Sequence, residues 1–411
     1  MMIKKILVIT DSINIEDSSG SKANVAIIKN LIVSGFEVIV YHYTQKDIEI
    51  MGARCVSIPE IRYSFLFFIS RIQRYFTIYT KINVNPFIEG KLGFSLVYLN
   101  DSASIAKALK KSSFEPELVL TLSKGSSFRP HHAMLNIPKW HSKWMAYVHD
   151  PYPAHLYPRP YTWVETSYRQ KENFFKNVAA KARWSAFPSQ LLQDWMGSYF
   201  PEFLGNGMII PHQNASYQVQ NKTFPAYFNN GKFNVLHAGN LMFHRPPKGL
   251  LKGFLMFLKR NPEAQSEANL LLIGPTDHDQ LLNNYAENAN IHIQNKSVAF
   301  DQVYHLQTAA SVNVILESKS EISPFLPAKF PHCVAANKPI LSLSPFYSET
   351  RRLLGTDYVF WCEVDDQTQI ANHIEKLYYL WKNNPENMVL NRLDLQDYLS
   401  ANHLKTIIEN L

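Results

Sequence analysis

The sequence predicts an α/β fold built from two Rossmann-like, doubly wound domains in series. Three observations carry that expectation. Short β-branched runs alternate with longer amphipathic ones along nearly the whole chain. A polar, aperiodic stretch near the middle separates two such sets. The length of 411 residues exceeds what one ordinary core serves. Apolar strands alternating with helices imply parallel sheets covered on both faces.

The first half supplies the strand-like runs KILVIT, FEVIVYHY, ELVLTL, WMAYVHD, RWSAFPS and GMIIPH. The second supplies FNVLHAGN, NLLLIGP, NIHIQN, SVNVILE, KPILSLS and YVFWCEV. Helix-length segments such as Lys22–Ser34, Lys248–Arg260 and Gln369–Asn383 lie between them. The opening MMIKKILVITDS has an apolar run too short for a signal peptide and reads as a first buried strand. From Pro211 to Lys232 the chain is rich in Asn and Gln and lacks either period, which marks a linker. The expected division is therefore an N-terminal Rossmann-like domain over 1–212, a linker over 213–232 and a C-terminal Rossmann-like domain over 233–395. A C-terminal helix within 396–411 is expected to pack back on the first domain. Ligands of open α/β sheets bind beyond the carboxyl ends of the strands, so two facing domains would put the site in the cleft between them.

Hydrophobic content of 46% and aromatic content of 13% exclude a disordered or fibrous chain. Cys55, Cys333 and Cys362 are odd in number and widely spaced, matching neither a metal pattern nor a disulfide framework. That usage fits a reducing, cytoplasmic compartment. No apolar stretch approaches the roughly 20 residues of a membrane span. A net charge of +7 points to an anionic partner. Nucleic acid is not expected, because no helix-turn-helix, zinc-finger or RNA-binding aromatic signature is present. A phosphate-bearing small molecule or an acidic membrane surface remains.

Two basic segments carry the chemistry. In SPFLPAKFPHCVAANKPILSL, Ser323–Leu343, Pro327 and Pro331 fit only before or within a first helical turn. The spacing predicts a helix starting near Ala328, with the Ala328, Lys329 and Phe330 amides unpaired. Asn337 then suits a left-handed residue and Pro339 blocks continuation. Free amides, helix dipole and Lys329 would suit a phosphate; a surface lysine on a core helix is the plain alternative. In HAGNLMFHRPPKGLLKGF, His237–Phe254, Gly239 permits close backbone approach. Arg245 can grip a phosphate in bidentate fashion and Lys248 stands at a helix start. Either cation could instead be ordinary surface charge.

These segments, with YVHDPY and SSGSKANVAIIKNL, make the chain resemble the GT-B glycosyltransferases, and among them glycosyltransferase family 4. The resemblance covers essentially the whole length. It implies transfer of a sugar from a nucleoside-diphosphate sugar to a hydroxyl acceptor, a glycan or lipid-linked sugar, with retention and without a metal, in polysaccharide or glycoconjugate assembly. It implies no cofactor beyond the donor substrate. It assigns donor binding to Ser19, Gly20, Ser21, Gly239, Asn240, Gly274, Ser297, Ser323, Leu326, Pro327, Ala328, Phe330 and His332. Arg245, Lys248 and Lys329 would stabilise the charge that builds on the departing phosphate. His149 would contact the transferred sugar and orient it, and Asp150 and Tyr152 fall on the acceptor side. Asp150 either orients the imidazole or caps the turn before Pro151. His332 and Asn337 stand where the family usually carries a glutamate and a glycine. Neutral histidine has one acceptor nitrogen where a carboxylate can take both ribose hydroxyls.

Asp277–Gln280 contains D-x-D, yet it begins a helix where acidic residues complement the dipole. No metal is expected there, and the His131-His132 pair lacks a third ligand at metal spacing. The basic, aromatic stretch Arg62–Phe87 reads first as a domain helix burying one side, with contact to an anionic membrane as the alternative. The rival readings of the whole chain are a non-catalytic nucleotide-sugar-binding assembly partner and a nucleotide-sugar epimerase of the same architecture.

Overall fold

In the computed structural model, which describes residues 3–215 and 223–411, the β-branched runs pair as two wholly parallel main sheets. The first contains β1 (Lys5–Thr10), β2 (Glu37–His42), β3 (Arg54–Ser57), β4 (Leu118–Leu122), β5 (Trp144–Tyr147), β6 (Trp184–Phe187) and β7 (Gly207–Ile209). Their order is β3-β2-β1-β4-β5-β6-β7. Val8 lies opposite Val40 on one side and Leu120 on the other, and every residue of β4 is buried. Burial on both faces is why the strand sequences are continuously apolar rather than alternating.

The second sheet begins at β8 (Phe233–Ala238), followed by β9 (Ala268–Ile273), β10 (Ile291–Gln294) and β11 (Val312–Leu316). After the short β12 (Ile322–Ser323) come β13 (Ile340–Leu343), the short β14 (Tyr347–Ser348) and β15 (Trp361–Cys362). The order is β10-β9-β8-β11-β13-β15, with β12 and β14 paired separately. Each main sheet reverses its strand order once, between β1 and β4 and between β8 and β11. Such reversals open a crevice at the carboxyl ends of the strands.

The chain forms two units, Met1–Tyr157 with Tyr161–Ala215 and Ser400–Leu411, and Pro158–Pro160 with Ser216–Leu399. Residues 216–222 of the expected linker lie outside the described residues. The C-terminal helix Ala401–Glu409 belongs to the first unit. Its Leu404 and Ile408 join the cluster of Val25, Ile28 and Leu31, and the Ser34 hydroxyl donates to the Ala401 carbonyl at 2.9 Å.

In the second unit, the helix Lys248–Arg260 buries Leu250, Leu251, Phe254, Phe257 and Leu258, an i, i+1, i+4, i+7, i+8 stripe. Gly249 lets its first turn touch the backbone: a Cβ there would lie 2.2 Å from the Val364 carbonyl oxygen. Gly249→Ala is therefore expected to cost about 2–3 kcal/mol by forcing the helix off its seat. Urea denaturation of the variant checks this.

The aromatic segment departs from the expected half-buried helix. Phe65–Thr80 is helical, capped by the Ser64 hydroxyl, which accepts from the Phe67 amide at 3.0 Å. Within this helix, however, Ser70 is the sole buried residue. Phe65, Phe68, Ile72, Tyr75, Phe76, Ile78 and Tyr79 are exposed, whereas Leu66, Phe67 and Ile69 are half-buried.

Candidate functional site

The second unit gathers four ionisable side chains where its strand order reverses. His237 is the fifth residue of β8, Glu317 immediately follows β11, Arg245 lies in the loop after β8, and Lys329 precedes the helix Phe330–Ala335. The Lys329 ammonium lies 3.0 Å from His237 Nε2. Burial, then the charges of Lys329 and Arg245, hold His237 far below the usual imidazole range, so the ring is neutral and can accept from the ammonium. Its Nδ1 is buried without a partner.

Lys329 itself is pulled down to about 7, chiefly by burial and next by the Arg245 charge. Burial pushes Glu317 up to about 7, against the Ser323 and Thr350 hydroxyls and the Arg245 guanidinium, which favour its ionised form. The Ser323 and Thr350 hydroxyls lie near Glu317 but neither is aligned for a good hydrogen bond to its carboxyl oxygens, and Arg245 Nε is buried without a partner. Buried polar groups in native proteins are overwhelmingly paired. A cluster this underused, with strongly displaced pKa values, is the kind found where a charged ligand docks.

Two glycines make room for it. Gly239 has φ +145°, and a Cβ there would sit 2.8 Å from Lys329 Nζ. Gly274, at φ +131°, would meet the Gly239 carbonyl oxygen at 2.7 Å. Both positions need glycine for backbone conformation and for space.

The remaining expected donor residues divide. Lys248 is exposed in its first helical turn, and among the described residues no interaction links it to Arg245 or Lys329. Leu326 and Phe330 are buried in a core cluster with Ile315 and Ile340, so their side chains serve packing. The Phe330 amide donates to the Pro327 carbonyl at 2.8 Å, which corrects the expectation of three free amides. A turn ahead of the helix consumes that donor and moves the cap to Lys329, leaving Pro327 and Ala328 outside. Asn337 is left-handed at φ 50°, as its position suggests, and its side-chain oxygen accepts from the Asn391 amide at 2.9 Å. His332 packs against the rings of Phe300 and Tyr304, at 5.1 and 5.8 Å. Ser323 is buried in β12, whereas Asn240 and Ser297 are exposed.

The first unit holds a second constellation. Its loop after β1 is capped by Ser18, whose hydroxyl accepts from the Ser21 amide at 3.1 Å; Ser19 opens the helix Ser19–Val33. Gly20 comes close to the loop after β4, since a Cβ would lie 3.2 Å from the Gly125 nitrogen. His149, two residues beyond β5, is buried, and burial, then His212 and His131, hold it well below the usual range. Its Nε2 has no partner. Asp150 is pushed up to about 6 by burial and, among the described residues, makes no hydrogen bond to the His149 ring. Tyr152 is buried against Phe128 and Phe175, at centroid distances of 4.9 and 5.0 Å.

Beside Tyr152 lies a cavity of about 190 Å³ with a mixed aromatic and ionic wall, including Glu89, Tyr98, Ser127, Arg129, Glu165 and Lys171. Arg129 is held by Asp101 at 2.9 Å, and Lys171 pairs with Glu165. Asp101 also accepts from the Tyr43 hydroxyl at 2.8 Å, while the Tyr98 hydroxyl is buried without a partner. At the β1 end, the Asp11 carboxylate accepts from the Ser127 hydroxyl at 2.6 Å and the Lys124 amide at 3.0 Å. Sequence reasoning missed Asp11, Arg129 and Glu317. Each follows a strand's carboxyl end by one to seven residues, which was the available signal. Tyr98 and Lys171 sit on helices, where nothing local distinguishes them.

The aspartates of the D-x-D segment serve its loop. Asp277 accepts from the Phe243 amide at 2.9 Å, and Asp279 accepts from the Asn295 side-chain amide. Among the described residues, no group of three His, Cys, Asp or Glu side chains could hold a metal ion.

Comparison with solved structures gives the fold. The trehalose-6-phosphate synthase OtsA superposes with a TM-score of 0.64 and 11% identity, over 98% of each chain. HepE from Anabaena, solved with UDP and glucose, gives 0.61 and 10% identity over 99% of this chain and 98% of its own. An E. coli trehalose-6-phosphate protein bound with UDP-2-fluoro glucose gives 0.59 and 12%, over 99% of each chain. At these identities the likeness establishes the α/β architecture of two Rossmann-like domains shared with GT-B proteins. No protein-family model matches the sequence, and no curated protein sequence matches it significantly.

Proposed function

We propose that this protein is a GT-B glycosyltransferase that moves a sugar from a nucleoside-diphosphate sugar to a hydroxyl acceptor in cytoplasmic polysaccharide or glycoconjugate assembly. The carrying observation is the group of half-buried Arg245 and Lys329 beside buried His237 at the strand-order reversal of the second sheet, with unfilled hydrogen-bonding capacity and two glycines clearing space beside it. The shared fold with proteins solved holding UDP and UDP-2-fluoro glucose supports the choice of ligand.

Breaking the bond between a sugar and a diphosphate builds negative charge on the leaving group. Arg245 and Lys329 would stabilise that charge in place, where exclusion of water strengthens each contact. Lys248, exposed at the mouth of its helix, would add a longer-range field. On the first unit, neutral His149 has a free Nε2 that suits hydrogen bonding to a sugar hydroxyl rather than proton abstraction from a strongly basic state. The donor phosphate would then take the acceptor proton, and the anomeric configuration would be retained. No metal enters this scheme.

Calorimetric titration with UDP, GDP and ADP tests the binding step. Arg245→Ala is expected to cost about 2–3 kcal/mol, roughly a hundredfold in affinity, because it removes a charge-assisted, water-excluded contact. Unchanged affinity in Arg245→Ala and Lys329→Ala together would remove the site. Glu317 gives a second reading some weight. A carboxyl near 7 suits general acid–base work, as an epimerase requires. Product analysis separates the two: transfer gives a new glycoside, whereas epimerisation returns an isomeric nucleotide sugar.

A further inference from the structure

We infer that the outward face of the helix Phe65–Thr80, continued by Phe87 and Leu92, is a docking surface for an anionic lipid bilayer. The helix has its amphipathicity reversed. Phe65, Phe68, Ile72, Tyr75, Phe76 and Tyr79 fall at i, i+3, i+7, i+10, i+11 and i+14, which places them on one face. All six are exposed, Phe65 at 77% and Tyr79 at 82%. The opposite face is mixed, holding Leu66 with Ser70, Gln73 and Thr77, and Ile69 and Phe67 flank it half-buried. Ser70 donates to the Phe67 carbonyl at 2.7 Å, and Gln73 bonds the Asn85 side chain. A helix of a water-soluble domain turns its apolar stripe inward; this one turns it outward.

The occupant follows from the rim. Residues 60–97 carry Arg62, Arg71, Arg74, Lys81 and Lys91 against Glu60 and Glu89, with Glu60 paired to Arg71 at 3.3 Å and to Arg62 at 3.8 Å, so the segment keeps a positive excess. Among the described residues, Arg74 and Lys81 are exposed and form no ion pair. Phenylalanine, tyrosine and isoleucine on one face with cations beside them is the composition that settles at a headgroup boundary. A second copy fits less well, because a two-fold contact would set this basic rim against itself. No described helix is long and apolar enough to cross a membrane, so the contact would be peripheral. The helix Asn85–Leu92 also contributes Glu89 to the wall of the 190 Å³ cavity. An acceptor carried on a lipid would therefore be presented beside the cavity. That last step rests on the glycosyl-transfer reading; the docking itself does not.

Flotation of the full chain with phosphatidylglycerol-containing vesicles tests the docking without any catalytic readout. Binding is expected at low salt, weakened by high salt, and weak on pure phosphatidylcholine. Combining Phe65→Ser, Ile72→Ser and Tyr79→Ser is expected to abolish flotation with little change in thermal stability, because these side chains are 77%, 67% and 82% exposed. Arg74→Glu with Lys81→Glu is expected to weaken partitioning at least roughly tenfold, from charge reversal near an anionic surface. Absence of flotation at low salt would overturn the proposal. So would a stable dimer that the serine variant dissociates, or equal binding to neutral and anionic vesicles. Loss of nucleotide binding would leave this result untouched, so the two proposals fail separately.

Discussion

Lys329→Met is expected to abolish detectable binding of a nucleoside-diphosphate sugar and to raise the melting temperature of the ligand-free protein by a few degrees. The two effects share a cause. Lys329 is a half-buried ammonium beside a neutral imidazole, with the Arg245 charge near it, so its protonated form is disfavoured in the ligand-free site. Methionine fills comparable volume without a charge to desolvate, and replacing buried charge by an apolar group of similar size is often stabilising. The sign with pH follows. The folded value is about 7, below the usual 10.5, so between those limits the unfolded chain holds a proton that the folded chain has lost. Stability contributed by this site therefore rises with pH through that window and is lowest below pH 7. The melting-temperature advantage of Lys329→Met should be largest near pH 6 and should shrink towards pH 9. A variant that binds normally, or one that is destabilised at pH 6, would contradict the placement of Lys329 as a strained ligand-binding cation.

The affinity for UDP-glucose is expected to fall by about tenfold or more between pH 6 and pH 8, since each group titrating near 7 contributes up to tenfold per unit above its pKa. UDP-glucose is the informative probe because its diphosphate is esterified at both ends and keeps its charge over this range. Below pH 7, Lys329 is cationic and Glu317 neutral; above it, Lys329 is neutral and Glu317 anionic. Both changes disfavour a bound diphosphate. Binding should accordingly take up protons near and above pH 7, which calorimetry in buffers of different ionisation enthalpy reads directly. Glu317→Gln should reduce the pH slope while retaining binding. A flat profile, or one rising with pH, would show that these two groups do not face the ligand.

The strands were legible because burial on both sheet faces writes itself into sequence as uninterrupted β-branched runs. Ile6–Ile9 and Leu270–Ile273 needed no tertiary information. The left-handed Asn337 before Pro339 was legible for a local reason, the conformations those two residues permit. Local reasoning failed where a competing partner lay nearby but outside the pattern. The Phe330 amide was expected to be free, yet the Pro327 carbonyl takes it in a turn. Lys248 looked equivalent to Arg245 and Lys329, but a helix start says nothing about which way its first side chain points.

What the sequence determined by itself was the architecture and the cations that belong to the second unit, since both follow from period, proline and glycine placement and residue type. Only the tertiary structure decided which of them lie together. It joined His237, Arg245, Glu317 and Lys329 from four separate segments and displaced the protonation of His237, Glu317 and Lys329. It also turned the aromatic face of Phe65–Thr80 outward. The physical reason is that desolvation and charge coupling depend on distances in space, which are set only once the β8 and β11 strands lie side by side. The outward face likewise depends on what the rest of the domain leaves uncovered, a quantity with no periodicity along the chain.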